Sequence, residues 1–418
     1  MRFVLISTHI DQTTGYSKVS YNLLRQLASL SPLVKVFHYG FQRHPGKTGL
    51  RKTPDGVVVY DAAANEEPRE DGFGFNKVRE YLEMVNPDVV MIYNDPLVIA
   101  RFLDSMKHDR ATSPYKLWLY LDQVYEGIAP PLVETIRTHA DRVYCFTDFW
   151  KSKLPVLSDV RVLGHAVDPL AFSALPPETR TTLRAGLGLP DDAIVFLNAN
   201  RNSQRKRHDL SVSAFVKLQA RYPDKPLYLL IATNAHPQSG AFYDIPRIHM
   251  DELARAGLSE LTYASRLLLI DTSPMSNVLT DEAVNQLYNI ADIGLNTSDG
   301  EGFGLCQLEH LYTGAPQVVT DSGNFRSILN PEVAAFVQPV DRAYFPGTMP
   351  LGFWAPVFQS EDVMKAMETV MTSLPSYKAA AKAFPFKSWA AVCDGFLEDI
   401  LTLQVGDRTA IATVPVLS

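Results

Sequence analysis

Two carboxylates, Glu301 and Glu309, bracket the run Gly302-Phe303-Gly304-Leu305-Cys306-Gln307-Leu308, in which a loop with two glycines passes straight into a helical pattern. Gly302 and Gly304 put no side chain in the way, so backbone N–H groups of the loop and of the first helical turn can meet oxygen-rich groups such as a phosphate or a sugar. Carboxylates accept hydrogen bonds from vicinal hydroxyls, which sugars and riboses carry. Glu301 lies before the loop and Glu309 early in the helix expected over 305–313, which Gly314 ends, so both acids can border one ligand. On spacing alone, two helix-end or surface charges would account for the pair equally well.

A second group supplies the opposite charge. The apolar run 194–200 empties into Arg201-Asn202-Ser203-Gln204-Arg205-Lys206-Arg207-His208-Asp209, ahead of a helical pattern over 208–220. Arg201 and Lys206 at the carboxyl end of a strand suit a diphosphate and would stabilise charge developing on a departing nucleoside diphosphate. In isolation a solvated basic turn is the plainer reading. Placement in the same half of the chain as the loop at 301–309 favours the functional one.

Elements that could position these residues recur along the whole chain. Short apolar, β-branched runs at 2–7, 34–40, 88–94, 116–122, 142–147 and 161–165 alternate with helical patterns such as 15–30, 75–85 and 131–140. A second series runs through 193–200, 227–233, 266–271, 292–296, 316–320 and 334–337, with helices at 208–220 and at 280–291, where Thr280 is the expected N-cap. Alternation of this kind is expected of parallel sheets covered by helices. The fold class is therefore α/β, with two doubly wound, Rossmann-like domains facing a cleft. Pro169, Pro176, Pro177 and Pro190 punctuate the break. We expect an N-terminal domain over 1–168, a second domain over 169–385, a helix over 386–404 and a tail over 405–418. That last helix is expected to present Trp389, Val392, Phe396, Ile400 and Leu401 on one face. The stretches 234–251 and 339–360 read as surface or specificity loops.

Composition narrows the class. The chain has 418 residues, 46% hydrophobic and 20% charged, enough for two cores. A net charge of -7 argues against a general nucleic-acid binder. Cys145, Cys306 and Cys393 are few and far apart, which fits a reducing compartment and no structural zinc. The apolar run at 3–6 is too short for a signal segment, and no stretch is long enough for an integral membrane segment, so a cytoplasmic protein, at most peripheral to a membrane, is expected.

With more of the chain in view the loop acquires context. Leu287-Tyr288-Asn289-Ile290-Ala291-Asp292 precedes a strand, then come Ser298-Asp299-Gly300-Glu301-Gly302-Phe303-Gly304-Leu305, Leu308-Glu309, Thr313-Gly314-Ala315-Pro316-Gln317-Val318-Val319 and Ser322-Gly323. Together with Arg201 and Lys206, the segment Gly164-His165-Ala166-Val167-Asp168, and Phe386, Ser388 and Trp389, this order resembles family 4 glycosyltransferases, a mostly retaining group with two Rossmann-like domains in the type B glycosyltransferase fold. The resemblance is strong over roughly residues 190 to 330 and only general in the first 160.

The resemblance implies a nucleotide-diphosphate sugar as donor, of the GDP-mannose or deoxyhexose type or the UDP-glucose type, a glycan, lipid or protein hydroxyl as acceptor on the side of the first domain, and a helix over 386–404 that packs back on that domain. It implies that Glu301 holds hydroxyls of the donor sugar. The backbone of Gly302, Phe303, Gly304 and Leu305 would contact sugar and distal phosphate, and Glu309 would bind the ribose diol. Arg201 and Lys206 would grip the diphosphate, so that neither metal nor cofactor is needed. The base would lodge along 271–278, including Ser273 and Val278. Gly15 stands where a glycine backbone approaches phosphates or acceptor, although a turn before a helix would use a glycine equally well. Many members carry a histidine facing the sugar after the strand corresponding to 117–121, where this sequence reads Tyr120-Leu121-Asp122-Gln123. Asp122 could take an acceptor proton, bind the sugar, or be a strand-end turn carboxylate. His165 and His208 read as structural.

Three rival readings remain at this level. A nicotinamide-dependent dehydrogenase would need Gly-x-Gly-x-x-Gly after an opening strand, which neither 7–17 nor 198–208 provides. A sugar-nucleotide epimerase on the same fold should show its own acid/base carboxylates and histidine. A nucleotide-sugar-binding protein without transferase activity would keep the same acids and bases.

Overall fold

Every residue of Val89–Asn94 is buried, and the run is apolar up to Tyr93, as expected of a strand covered on both faces. It lies in the middle of a seven-stranded parallel sheet. The strands are β1 (Arg2–Thr8), β2 (Lys35–Phe41), β3 (Val57–Asp61), β4 (Val89–Asn94), β5 (Lys116–Leu121), β6 (Arg142–Cys145) and β7 (Val160–Val162), in the spatial order β3-β2-β1-β4-β5-β6-β7. The second sheet holds β8 (Ile194–Asn198), β9 (Leu227–Thr233), β10 (Leu267–Asp271), β11 (Ile293–Asn296), β12 (Gln317–Thr320) and β13 (Ala334–Val337), ordered β10-β9-β8-β11-β12-β13. In both sheets the order reverses after the first strand, so that β1 lies beside β4 and β8 beside β11. At such a switch point the loops leave the carboxyl ends in opposite directions and open a crevice. The computed structural model describes residues 1–44, 51–155, 157–235, 240–272, 279–345 and 353–403.

The α/β organisation expected from the alternating pattern is what the structure shows, and three segments differ from the sequence reading. Val57–Asp61 was not anticipated as a strand, although Val57 to Tyr60 is a short β-branched and aromatic run; it lies on the sheet edge, only partly buried. Within 234–251, read as a loop, Ile245 begins a helix that runs to Ala256, with Asp244 accepting from the Arg247 N–H and a proline in its first turn. Within 339–360, also read as a loop, β14 (Asp341–Phe345) and β15 (Phe353–Val357) pair antiparallel as a hairpin outside both sheets. Its exposed Tyr344 and Trp354 and the proline at 356 mask the strand pattern.

The C-terminal helix Trp389–Leu401 begins at Ser388, whose side chain accepts from the Ala391 N–H. Phe396 meets Phe3, Trp118 and Tyr144 edge-on at centroid distances of 6.1, 6.0 and 5.5 Å. Asp399 accepts from the Tyr144 hydroxyl at 2.7 Å and pairs with Arg142 and Arg161. The helix therefore lies against β1, β5 and β6. Leu401, expected on its inner face, is instead exposed at the helix end. Among the described residues, no helix is long and apolar enough to cross a membrane.

Candidate functional site

The crevice at the β8/β11 switch point is lined by the two loops that the sequence singled out. Asn296 ends β11, and its side chain accepts from the Ser298 N–H, turning the chain toward Glu301. After β8 the loop 199–207 is fastened to the same place, because the Thr297 hydroxyl donates to the carbonyls of Lys206 and Arg207 at 3.1 and 2.8 Å.

Glu301 is thereby buried among donors. Its Oε1 accepts from Asn296 Nδ2 and Ser298 Oγ, each at 2.9 Å, and pairs with Lys206 Nζ, while Arg205 Nη1 stands 3.3 Å from Oε2. Burial alone would raise its pKa, but Lys206, Arg205 and the hydrogen bonds outweigh it and hold the carboxyl at about 2. Lys206 also donates to Asn200 Oδ1 at 3.0 Å. Burial, with help from the neighbouring Arg205, lowers its ammonium to about 8 in spite of Glu301. At neutral pH the pair is charged on both sides, a compact salt bridge at the strand ends.

Glu309 faces the other way. It lies in the helix Leu305–Tyr312 and accepts from Lys18 Nζ at 2.8 and 3.0 Å and from the Tyr288 hydroxyl at 2.9 Å. Burial raises its carboxyl above the ordinary range, only partly offset by Lys18. Lys18 is held protonated because Glu309 and Asp281 outweigh its own burial. Asp281 stands 3.6 Å from it and takes two hydrogen bonds from Arg51, at 3.0 and 2.8 Å.

The first domain presents its own switch-point loops to this crevice. Thr14 caps the helix Gly15–Ala28 by accepting from the Ser17 N–H. A Cβ built on Gly15 would stand 3.7 Å from Leu305 Cδ1, so the first turn of that helix meets the start of the helix after the glycine loop. Gly302 is closer still to the opposite side. A Cβ there would fall 2.0 Å from Asp122 Oδ1, and one on Gly300 would fall 2.6 Å from the Tyr125 ring and the Val124 carbonyl. Gly304, at φ 99°, adopts a backbone that favours glycine and lies against Phe325. Trp150 Nε1 donates to the Gly302 carbonyl at 2.6 Å, and the Tyr125 hydroxyl to Asp299 at 2.7 Å.

Asp122, directly after β5, accepts from the Tyr16 hydroxyl at 2.5 Å through Oδ2. Its Oδ1 is covered and has no hydrogen-bond partner among the described residues. Burial lifts this carboxyl to about 6 against the pull of Tyr16 and Arg205.

Of the residues expected from sequence, Glu301, Lys206, Asp122, Gly15, Gly302, Gly304, Leu305 and Glu309 thus lie along the face where the two domains meet, with Glu301 and Glu309 turned to different partners. Phe303 turns away from it, its ring buried 4.4 Å from that of His165. Arg201 is exposed and forms no ion pair among the described residues. Ser273 and Val278 lie outside the described residues. Sequence reasoning overlooked Arg205, Tyr16, Lys18 and Tyr125. Gly15 was the available signal for two of them, since a helix that starts at a switch point carries its first-turn side chains to the crevice.

Among the described residues, the space between Lys18, Arg51, Asp281, Leu305, Glu309 and Trp389 is a cavity of about 20 Å³, room for about one water. A ligand of nucleotide size enters that space only if the two domains part.

Two switch-point crevices facing each other, with the glycine loop and basic turn on one side, define the two-domain type B glycosyltransferase architecture. Residues 179–344 match the family model described as Glycosyl transferases group 1. A curated relative, D-inositol 3-phosphate glycosyltransferase of Saccharomonospora viridis, is 30% identical over 211 residues, 49% of this chain and 46% of the relative. The chain spans about half the length of the curated relatives it matches. Among solved structures, sucrose-phosphate synthase from Thermosynechococcus elongatus aligns over 96% of this chain and 99% of its own, with a TM-score of 0.67 and 15% identity. Anabaena HepE, solved with UDP and glucose, aligns over 96% of this chain and 100% of its own, with a TM-score of 0.65 and 14% identity.

Proposed function

We propose that this chain is a retaining glycosyltransferase that moves a hexose from a nucleotide-diphosphate sugar to an acceptor hydroxyl. The observation that carries the reading is the buried Glu301–Lys206–Arg205 cluster at the β8/β11 switch point, beneath the glycine loop. Once the domains part, Lys206, Arg205 and the exposed Arg201 are placed to take the diphosphate, which frees Glu301 for sugar hydroxyls. Glu309 exchanges Lys18 for the ribose diol. As the bond from the anomeric carbon to the diphosphate breaks, these cations stabilise the departing charge with no divalent ion in the role. The acceptor oxygen bonds to the same carbon on the same face, and its proton passes to a diphosphate oxygen. Closure of the domains excludes water from the reacting centre.

The donor is of the GDP-mannose or deoxyhexose type or the UDP-glucose type, and the acceptor is a glycan, a lipid or a protein. The name of the 30% identical relative adds a phosphorylated polyol to the acceptors worth testing. Thermal shift with UDP, GDP and their sugars identifies the base, since a specific ligand stabilises in proportion to the logarithm of its excess over Kd. Lys206→Ala and Glu309→Ala should each weaken binding of that nucleotide at least about tenfold in a chain that still folds. Unchanged affinity in both would place the donor elsewhere. Tight binding without transfer or donor hydrolysis would favour a nucleotide-sugar-binding protein.

A further inference from the structure

The hairpin of β14 and β15 lies outside both sheets, and its two faces keep different company. One face is pinned to the edge of the crevice. Phe353 stacks on Tyr125 of the first domain at a centroid distance of 3.9 Å, the rings 16° from parallel, and Phe345 stacks on Phe353 at 5.6 Å. The Tyr125 hydroxyl donates to Asp299, just ahead of Glu301. The backbone of Trp354 also bridges to that of Glu126, which joins β15 to the loop that follows β5.

The other face is open to water. Tyr344 stands opposite Trp354 in the register, and side chains alternate along each strand, so Arg342, Tyr344 and Trp354 share this side. Tyr344 is 55% and Trp354 51% exposed, with ring centroids 5.5 Å apart, and the Arg342 guanidinium lies 5.9 Å from the Trp354 ring. Val340, half-exposed, extends the strip. Glu126, next to the Trp354 backbone, pairs with Lys153 at 3.1 Å.

The size and the rim of this strip select its occupant. Two half-exposed rings offer roughly 200 Å², whereas a stable protein interface takes about 800 Å² from each partner. A face that lies in a membrane is a broad apolar surface, and here Arg342 and the Glu126–Lys153 pair interrupt it. A sugar ring matches both features. Its C–H bonds turn a weakly positive, apolar face to the negative face of an aromatic ring, while the hydroxyls around its edge need the donors and acceptors that Arg342, Glu126 and Lys153 carry.

We propose that Tyr344 and Trp354 form a saccharide subsite at the mouth of the crevice, on which a sugar unit of the acceptor stacks while the neighbouring unit reacts, so that the acceptor is an oligosaccharide. The proposal rests on the glycosyltransferase reading above and narrows its acceptor. The hairpin belongs to the second domain and Tyr125 to the first, so the strip is set beside the crevice by contacts with both.

An array of immobilised linear oligosaccharides of glucose, mannose, galactose and N-acetylglucosamine, with the single sugars beside them, tests this on the full chain in the presence of UDP or GDP. The wild type should hold at least one oligosaccharide and bind its single sugar at least about fivefold more weakly. Trp354→Ala and Tyr344→Ala should each weaken that oligosaccharide at least about fivefold and leave nucleotide affinity within about twofold. Trp354→Phe, which keeps a flat ring, should retain most of the binding, and Trp354→Leu, equally apolar, should not. A second readout needs no turnover. The other three tryptophans, Trp118, Trp150 and Trp389, are buried, so acrylamide quenching of tryptophan fluorescence reports on Trp354, and the bound oligosaccharide should reduce it. If nucleotide binds but no oligosaccharide is held, or Trp354→Ala holds it as tightly as the wild type, the inference is overturned while the donor site stands. Sedimentation with phosphatidylcholine–phosphatidylglycerol vesicles that is lost in Trp354→Ala, with oligosaccharide binding unchanged, would overturn it in favour of a membrane contact. If neither nucleotide binds the wild type, the donor-site reading fails and takes the inference with it.

Discussion

Lys18 donates to both carboxylate oxygens of Glu309, at 2.8 and 3.0 Å, and so ties the helix that opens the first domain to the helix that follows the glycine loop of the second. The two residues lie 291 positions apart. Glu309 is 4% exposed through its side chain and Lys18 19%, so the pair is largely shielded from salt and solvent. It occupies the carboxylate proposed for the ribose, which makes the pairing with Lys18 and the binding of the donor alternative uses of the same oxygens.

Removing one partner leaves the other charge covered by protein. Lys18→Ala and Glu309→Ala should each lower stability by about 1–3 kcal/mol, and the double variant should lose clearly less than the sum. Denaturant unfolding of the four chains measures the coupling. Strictly additive losses would mean that the two side chains are not paired in solution.

Lys206 sets the expected alkaline limit of donor binding. Because burial lowers its pKa to about 8, the free site carries the ammonium below that pH and loses it above. Nucleotide affinity should therefore fall above about pH 8, by up to about tenfold per pH unit. Lys206→Arg keeps its charge throughout and should abolish that limb. Stability moves the opposite way. Between about 8 and 10.5 the unfolded chain still binds a proton that the folded chain has released, so this group makes the fold more stable as pH rises through that window. Kd measured from pH 7 to 10 for both chains decides the point.

Much of the architecture was legible because its strands are buried on both faces and read as unbroken apolar runs; Leu227–Thr233 and Ala334–Val337 stand where the pattern put them. The hairpin Asp341–Phe345/Phe353–Val357 was hidden by Asp341 and Arg342 in its first strand and the proline at 356 in its second, whereas the edge strand Val57–Asp61 carries a β-branched run that was passed over. The crevice divides in the same way. Glu301, Glu309 and the glycines announce themselves by local spacing. Lys18 and Tyr125 meet partners in the second domain, and Tyr16 meets Asp122 across the first sheet, contacts between distant parts of the chain that only the glycine at 15 hints at locally.

Arg201 and Arg205 show the limit of spacing most directly. Both lie in one turn, but Arg205 reaches the Gly300 carbonyl at 2.6 Å and Glu301 at 3.3 Å, whereas Arg201 is exposed. Arg205→Ala should lower the melting temperature, because it strips a cation and a hydrogen bond from the loop. Arg201→Ala should leave stability within about 0.5 kcal/mol and weaken nucleotide binding alone. Equal melting temperatures for the two variants would mean that Arg205 does not brace the loop.

Gly302 carries the last prediction, and it concerns closure. Its φ does not lie in the left-handed region, so an alanine is tolerated by the backbone; the obstacle is what the new Cβ meets, Asp122 Oδ1 at 2.0 Å and the Phe146 ring at 3.1 Å. Asp122 and Phe146 belong to the first domain, so Gly302→Ala holds the domains apart without disturbing the second domain's grip on diphosphate and ribose. Affinity for the free nucleotide should stay within about threefold, and donor turnover should fall at least about hundredfold, the scale set by an ångström of misplacement at a reacting centre. Adding Asp122→Ala relieves one of the two clashes but removes a carboxylate placed in the site, so it should improve closure, read as the protection of Tyr125 from hydrogen exchange, without restoring turnover. Turnover at the wild-type rate in Gly302→Ala would show that the tight apposition of Gly302 and Asp122 is not the arrangement in which the sugar is transferred.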